Sequence, residues 1–158
     1  MTMLGNTRSA FSQEAANTQT AKAASSVSSG NNQFAFDLFK NVASAQKDAN
    51  VFFSPVSISM ALAMTYAGSE GQTRKQMAQV LHLTGSQQDV ASGFQSLMAS
   101  MSQPADAAYQ LKIANALWGQ EGEHFQPEFV SLMHTYYSGD FDTLDFAKTP
   151  ESLATINH

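Results

Sequence analysis

Cysteine is absent from this chain of 158 residues. Without cysteine there is no disulfide framework, no thiolate nucleophile and no zinc site built on cysteine ligands. The absence is compatible with an oxidising or a reducing compartment, so it does not locate the protein. One domain is the natural expectation for this length, and a hydrophobic fraction of 43% is ordinary for a globular protein.

Positive charge is also scarce. Lys and Arg together number 8 against 13 Asp and Glu, which gives a formal net charge of −5. Binding to the phosphates of nucleic acids needs clustered Lys and Arg, and the sequence contains no such cluster. We therefore predict no nucleic-acid partner.

Long apolar runs are missing as well. The most apolar stretch runs from Val56 to Tyr66 and is far shorter than the roughly 20 residues of a membrane-spanning helix. We therefore predict no membrane partner. Residues 1–31 contain no continuous apolar core of the kind that a signal peptide requires. Either the chain is not exported by that route, or the start shown is not the natural one.

No residue pattern indicates an enzyme, a metal site or a cofactor. A two-histidine metal site on a helix requires i, i+4 spacing with an acidic partner, and no pair among the four histidines has it. Glu121 and Glu123 lie close to His124. An acid–base pair is conceivable there, but the flanking glycine favours a solvated turn. The histidines are His82, His124, His134 and His158.

Residues 1–31 differ in composition from the rest of the chain, being rich in Ser, Ala, Thr, Gln and Asn. This composition is typical of a flexible, low-complexity arm that is disordered or loosely helical. We predict a domain boundary there, followed by a helix that begins at Asn32 and runs to about Ala45.

The most informative stretch is residues 50–83, NVFFSPVSISMALAMTYAGSEGQTRKQMAQVLHL. Val51, Phe52 and Phe53 predict a short buried strand. Ser54 is suited to cap a helix whose first residue is Pro55. The residues that follow are apolar on almost every face, which predicts a buried helix.

That helix is expected to end at Gly68, because glycine adopts positive φ at little cost. Thr73 and Gln76 then match a capping box for a second helix, which is amphipathic. A buried helix followed by an amphipathic one indicates that other elements of a large domain surround the first.

The remaining residues predict helices separated by a few strands. Because strands are few, their sheet must be completed by segments outside this sequence, since two strands alone form a marginal sheet. The predicted elements are a helix from Ser86 to Met101, a strand over residues 109–118, a turn from Gly119 to Gly122, a helix opening at Pro127, a strand over residues 141–146 and a helix from Thr149.

A series of spaced residues resembles the serpin family of protease inhibitors. The residues are Asn32, Phe34, Phe36, Leu38 and Phe39; Asn50, Ser54, Pro55, Ser57 and Ile58; Gly68, Thr73 and QVLHL ending at Leu83; YQLKIANALW with its pair Ala114 and Asn115; Tyr136; Asp145 and Phe146; and Ile156 and Asn157. The resemblance covers residues 32–158 and corresponds to the N-terminal portion of an intact family member.

The resemblance implies an α+β, multi-helix fold with a large mixed β-sheet, here incomplete and dominated by helices. It also implies a suicide inhibitor of serine or cysteine proteases, whose exposed reactive loop inserts into the sheet after cleavage. That loop is expected to lie outside these residues, so we expect no inhibition by this chain alone and no catalytic residue in it.

The resemblance also points to a shutter, a hydrogen-bonded region beneath the main sheet that parts when the loop inserts. The shutter-like or structural residues are Asn50, Ser54, Pro55, Ser57, Asn115 and Asn157. A local interpretation can hold at the same time, in which Ser54 caps the helix and Ser57 bonds to backbone in its first turn.

Other functions and partners remain open. Heparin is not expected, because the helix from Ser86 to Met101 contains no Lys or Arg. The alternatives are a non-inhibitory carrier or chaperone serpin, or a binding or assembly fragment that pairs with a complementary chain. Strand exchange and self-association are expected of exposed sheet edges. The resemblance favours an extracellular location, with a cytoplasmic one as the alternative.

Overall fold

The computed structural model describes residues 4–45, 49–102, 108, 114–137 and 141–157, with side chains from residue 14 onward. Helices dominate these residues, and two short strands form the sheet. The elements are α1 (Leu4–Ala45), α2 (Pro55–Ala67), α3 (Gly71–Val80), α4 (Gln87–Met101), β1 (Leu117–Gln120), α5 (Pro127–Tyr136), β2 (Phe141–Leu144) and α6 (Thr149–Ile156).

The first helix is much longer than predicted. It ends at Ala45 as expected, but it begins at Leu4, so the predicted start at Asn32 is wrong. Ala23 and Val27 are buried against α4, and this packing carries the helix through residues with no amphipathic pattern of their own. The division of the chain into a flexible arm and a domain at residue 32 stays a prediction; α1 crosses that position without a break.

The core is built around α2, which packs against α1, α4 and α5. Phe94 of α4 and Tyr137 after α5 meet there with ring centroids 6.4 Å apart. Met60 and Met64 of α2 are buried in this core. Because α2 is held by this core, Ser54 and Ser57 at its N-terminus are held in place with it.

The predicted buried strand over Val51, Phe52 and Phe53 is wrong. These residues have no regular secondary structure, and Phe52 is 100% exposed. A strand needs a neighbour for its backbone hydrogen bonds. The two strands of the described residues pair with each other instead.

The prediction that α2 is buried on all sides is also wrong for these residues. Its inner face is buried at Ser59, Met60, Ala63, Met64 and Tyr66. Ala61, Leu62 and Thr65 are exposed on the other face. An apolar helix with one bare face indicates a surface that other segments would cover.

The termini of α2 follow the sequence closely. Ser54 is the N-cap and Pro55 the first helical residue, as predicted. Gly68 does end the helix, but its φ of −91° is not the expected left-handed value. A Cβ atom there would lie 3.1 Å from Cε2 of Phe129, a tight contact that a small movement of the ring would relieve.

The capping box predicted at Thr73 is wrong. Helix α3 begins at Gly71, and Glu70, three residues before Thr73, occupies the N-cap position without a side-chain hydrogen bond. Gly71 has a φ of +57°, so glycine accommodates the change of direction between α2 and α3.

The capping of α4 is a complete capping box. The Ser86 hydroxyl accepts from the backbone N–H of Asp89, and the Asp89 carboxylate accepts from the backbone N–H of Ser86. The predicted start of this helix is thereby confirmed, and its apolar face is buried at Val90 and Phe94.

The sheet consists of β1 and β2 in parallel, with Leu117 opposite Phe141 and Gln120 opposite Leu144. The predicted strand over residues 109–118 lies outside the described residues from 109 to 113. Residues 114–116 have no regular structure, so that part of the prediction is wrong, and β1 begins at Leu117. Gly119 belongs to β1 and not to the predicted turn, which is formed by Glu121 and Gly122. A Cβ atom at Gly119 would collide with the ring of Phe125, so close ring packing explains glycine in the strand.

The last two elements agree with the sequence in type. Strand β2 ends at Leu144, two residues before the predicted end, and α6 begins at Thr149 as predicted. Three phenylalanines join the sheet to α5: Phe141 packs edge-on against Phe125 at 4.9 Å and against Phe129 at 5.4 Å between ring centroids.

Within the described residues, no helix combines the length and the apolar character that crossing a membrane would require.

Candidate functional site

Ser54 and Ser57 form a hydrogen-bonded pair at the N-terminus of α2. Their hydroxyl oxygens lie 2.9 Å apart, and Ser54 Oγ also accepts from the backbone N–H of Ser57 at 3.4 Å. Ser54 caps the helix because the first backbone N–H groups have no partner within it. The local interpretation is thus visible for Ser54, whereas the Ser57 hydroxyl bonds to that of Ser54 and not to backbone in the described residues.

Asn50 and Pro55 flank that pair. Pro55 begins the helix, where its missing N–H costs no hydrogen bond. Asn50 is exposed four residues before Ser54, in a segment without regular structure. The exposed side chain of Asn50 leaves its role as a shutter-like residue a prediction.

Asn115 borders a large cavity beside the sheet. The cavity has a volume of about 830 Å³ and is lined in part by Met60 of α2, Trp118 of β1 and Tyr137. The Asn115 side-chain nitrogen is buried, and no hydrogen-bond partner for it occurs in the described part of the chain. A buried amide without a partner costs free energy and marks a place where an acceptor is expected.

Asn157 closes α6. Its side-chain nitrogen donates to the backbone carbonyl of Leu153 at 2.8 Å, and the backbone N–H of Asn157 donates to the same oxygen at 3.1 Å. Its neighbour Ile156 lines the same cavity as Asn115. The role visible for Asn157 is therefore that of a helix terminator.

The predicted site residues thus fall into two places. Ser54, Pro55 and Ser57 are brought together at the start of α2, while Asn115 lies beside the cavity that Met60 of the same helix also lines. Whether these groups act as a shutter stays a prediction. Of these residues, Asn115 is the one that lines the cavity, together with both polar and apolar side chains.

Sequence reasoning missed a buried polar pair that ties α1 to α2. Ser59 Oγ donates to the side-chain oxygen of Asn31 at 2.5 Å, and both residues are buried. The available signal was a lone serine on the inner face of an otherwise apolar helix. Buried polar groups need partners, so Ser59 required one from a neighbouring element.

A second missed residue is Gln87, which caps the C-terminal end of α2 from α4. Its side-chain nitrogen lies 2.7 Å from the carbonyl oxygen of Ala67 and 3.2 Å from that of Tyr66. Both carbonyls lack partners within their own helix. No local pattern in the sequence connects residues so far apart.

The histidines show no catalytic or metal-binding arrangement in the described residues. His82 lies in the left-handed region with a φ of +52°, and its Nε2 is 2.9 Å from Asp37 Oδ2 on α1. His124 and His134 are exposed, and His158 lies outside the described residues. Across the part of the chain that is described, no three His, Asp or Glu side chains are grouped so as to hold a metal ion.

Comparison with known sequences identifies relatives. The family model described as Serpin (serine protease inhibitor) matches residues 29–158. A leukocyte elastase inhibitor of Bos taurus is 41% identical over 132 residues, which are 83% of this chain and 34% of the relative. An uncharacterized serpin-like protein of Thermococcus kodakarensis is 38% identical over 123 residues, covering 78% of this chain and 28% of the relative. The chain thus spans about a third of the length of the curated relatives it matches.

Solved structures share the fold. Ovalbumin from emu (Dromaius novaehollandiae) superposes with a TM-score of 0.75 at 26% identity, over 84% of this chain and 38% of that one. Cleaved kallistatin complexed with heparin gives a TM-score of 0.73 at 29% identity, over 81% of this chain and 38% of that one. The helix-dominated arrangement with a small sheet is therefore a partial serpin fold, as the resemblance implied. The chain belongs to the serpin family.

Proposed function

We propose that this chain supplies the N-terminal part of an endopeptidase inhibitor that acts by loop insertion, and that it does not inhibit a protease alone. Two findings support the proposal. The family model of serine protease inhibitors matches nearly all of the chain after residue 28. A similar protein bears the name leukocyte elastase inhibitor, and this chain covers only 34% of it.

The observation that carries the proposal is the apolar surface left bare in the described residues. Phe52 is fully exposed, Phe36 is 68% exposed, and both line a surface groove between α1 and the segment before α2. The outer face of α2 is exposed at Leu62. Surfaces of this kind are rarely left uncovered in a finished domain, and they fit a fold completed by further segments.

In this proposal the chain provides a scaffold, and the reactive loop belongs to the complementary part of the protein. Insertion of a loop needs a sheet that can open and a firm layer behind it. Helix α2 and its capped start at Ser54 would supply that layer. The cavity beside Asn115 and Trp118 lies next to β1, where the sheet would have to move.

A chimera tests the proposed inhibition. The matched 132-residue segment of the bovine leukocyte elastase inhibitor would be replaced by the matching segment of this chain. We expect the folded chimera to form a complex with elastase that survives denaturing electrophoresis, since a loop-insertion inhibitor remains covalently attached to its protease. A folded chimera that leaves elastase fully active contradicts the proposal.

The chain alone is the matched control. Incubated with a panel of serine and cysteine proteases, it should be cleaved without trapping any of them. A stable covalent complex with the chain alone overturns the proposal that its inhibitory loop lies elsewhere.

Heparin has no place in the proposed function. The kallistatin structure contains heparin, but α4 of this chain carries no Lys or Arg and the net charge is −5. Polyanions bind through clustered positive charge. The predicted absence of a heparin partner stays a prediction, to be checked by retention on a heparin column at low salt.

The exposed aromatic groove supports a second candidate of another class, an assembly fragment. Its walls are Ala35, Phe36 and Phe39 of α1 together with the segment from Val51 to Pro55. A complementary serpin segment that covers this groove would restore the missing layer. Co-expression with the C-terminal two-thirds of the bovine relative, followed by co-purification, tests this function; recovery of two separate chains counts against it.

A further inference from the structure

Residues 14–28 of α1, here called the α1 extension, lie before the region that matches the family model. They nevertheless contact the domain. Ala23 and Val27 are buried, whereas the neighbouring Lys22 and Ser25 are exposed. Burial at positions four residues apart places one face of the helix against a partner.

The partner is α4, and the contact is close. A Cβ atom at Gly93 of α4 would lie 2.5 Å from Cγ2 of Val27 and 2.7 Å from the backbone oxygen of Ala23. Real Cβ atoms do not approach other atoms so closely. Gly93 therefore allows the two helix backbones to approach, and its three nearest neighbours beyond its own helix all belong to the α1 extension.

Hydrogen bonds between side chains flank this contact. The Gln19 side-chain nitrogen donates to Asp89 Oδ1 at 2.9 Å, and the hydroxyl oxygens of Ser26 and Thr84 lie 2.7 Å apart. Asp89 is the residue that closes the capping box of α4. The extension thus contacts the cap as well as the middle of α4.

We propose that the α1 extension is a clamp, which docks in cis on α4 and holds that helix and its N-terminal cap in place. The occupant of the α4 surface is fixed by covalent continuity, since the extension and the family-matched part of α1 are one helix. Release of the clamp exposes the face of α4 around Gly93 and loosens its first turns. The inference goes beyond protease inhibition and does not depend on it.

Disulfide trapping in the full chain tests the clamp. Because the chain has no native cysteine, the introduced cysteines can form disulfides only with each other. In the variant Ser26→Cys/Thr84→Cys, we expect rapid oxidation to an intramolecular disulfide, read as a loss of two hydrogens by mass spectrometry. The matched control is Ser25→Cys/Thr84→Cys, because Ser25 is the exposed neighbouring serine. We expect the control variant to oxidise at least about tenfold more slowly, since the side chain of residue 25 points away from α4.

The same two variants are also treated with a short thiol crosslinker such as dibromobimane. The crosslinker joins two neighbouring thiols even where their geometry does not allow a disulfide. Equal rates in the two variants overturn the clamp. Failure of both reagents to join Cys at 26 and 84 also overturns it. A disulfide found only between two chains overturns docking in cis.

A second variant separates docking from helix formation. Gly93→Leu improves the intrinsic helix propensity of α4, yet its side chain cannot fit beneath Val27. We expect amide exchange at the start of α4 to accelerate about tenfold or more, and the rate of Ser26–Thr84 trapping to fall to that of the control pair. Ala99→Leu, at an exposed position of the same helix, should change neither. Unchanged exchange and trapping in Gly93→Leu contradict the clamp.

Discussion

At the residue scale, the pair formed by Asn31 and Ser59 shows how one buried hydrogen bond joins two helices. The bond is 2.5 Å long and both side chains are buried. Removing one partner leaves the other without a donor or acceptor, and this costs more than the bond itself contributes. The pair therefore fixes the register of α1 on α2.

The first prediction concerns this pair. Ser59→Ala should weaken the packing of α2 on α1 by about 1–3 kcal/mol, because the Asn31 side-chain oxygen is left buried without its donor. Amide exchange within α2 is the measurement, and it should accelerate by about 5- to 160-fold. Thr65→Ala, at an exposed position of the same helix, is the control; equal exchange in the two variants would refute the role of the pair.

The second prediction concerns alkaline pH. Burial, and to a lesser extent the neighbouring Tyr66, raises the pKa of Tyr137 above its ordinary value of 10.0. The unfolded chain releases this proton first, so stability is complete below pH 10 and is lost as the pH rises toward the raised pKa. We expect helicity measured by circular dichroism to fall above about pH 10.

Tyr137→Phe separates this effect from general alkaline damage. The substitution removes the ionisable group and only a long hydrogen bond, 3.4 Å, to the carbonyl of Ala63. The alkaline transition should move to higher pH in the variant. An unchanged midpoint would show that Tyr137 does not govern the transition.

Sequence analysis succeeded at single residues where the partner is local. The capping roles of Ser54 and Pro55 depend on backbone N–H groups a few residues away, so the pattern contains the whole interaction. Ser59 and Gln87 were missed because their partners lie 28 and about 20 residues away. Distances of that kind are set by packing and have no local signature.

At the scale of elements, hydrogen bonds at the start of α4 hold the pKa of Asp89 below its ordinary value of 3.8. The donors are the Ser86 hydroxyl, then the Ser86 backbone N–H, then Gln19. Because the pKa is lowered, the ionised carboxylate stabilises the fold at every pH above its ordinary pKa. This stabilisation is lost as the pH falls through the pKa of the folded state. The charged form of Asp89 also interacts favourably with the helix N-terminus.

The third prediction follows from that cap. An NMR titration should show the Asp89 carboxyl with a pKa below that of Glu or Asp in a peptide, and the first turn of α4 should fray below about pH 4. Asp89→Asn should fray at neutral pH, whereas Glu123→Gln, in an exposed turn, should behave like the unaltered chain. An ordinary pKa at Asp89 would contradict the capping account.

The fourth prediction concerns the contact between β1 and the aromatic cluster of Phe125, Phe129 and Phe141. Gly119→Ala should displace the Phe125 ring and destabilise the contact by about 1–3 kcal/mol, as overpacking does. The single tryptophan, Trp118, is the adjacent residue, so its fluorescence emission should shift to longer wavelength. Glu121→Ala, at an exposed position just after β1, should leave that emission unchanged; a shift in both variants would argue against local repacking.

Element types were largely predictable and boundaries less so. The helices at Ser86 and Pro127 have caps or prolines that mark their starts, and both were found. The start of α1 was misplaced because its burial at Ala23 depends on Gly93, a residue 70 positions away. The strand at Val51–Phe53 was predicted from the high β-propensity of these residues. It does not form because the described residues contain no strand that pairs with it.

At the scale of the whole molecule, the chain spans about a third of the length of its curated relatives. Its described residues bury a core between α1, α2, α4 and α5, while aromatic side chains at Phe36, Phe39 and Phe52 are exposed. The sheet consists of two strands of four residues each, and a sheet of this size is only marginally stable on its own. The family could be predicted from the spaced residues, since many local patterns in a fixed order define a serpin. How much of the serpin fold this chain forms could not be predicted in the same way, because it depends on packing.

The fifth prediction follows from these exposed surfaces. The chain alone should associate through its apolar groove and its sheet edges, because burying them is favourable and nothing within the described residues covers them. Sedimentation velocity over a range of concentrations should show species larger than a monomer. Phe36→Ser, which reduces the exposed aromatic surface at one position, should raise the monomer fraction relative to Lys75→Ser on exposed α3.

The most direct test of the central claim, that these residues need the rest of a serpin to complete their fold, is calorimetry of the chain beside the chimera with the bovine relative. We predict a sharp, cooperative melting transition for a monomeric chimera and a broad or absent transition for the associating chain. Sharp cooperative melting of the 158-residue chain as a soluble monomer would contradict the claim.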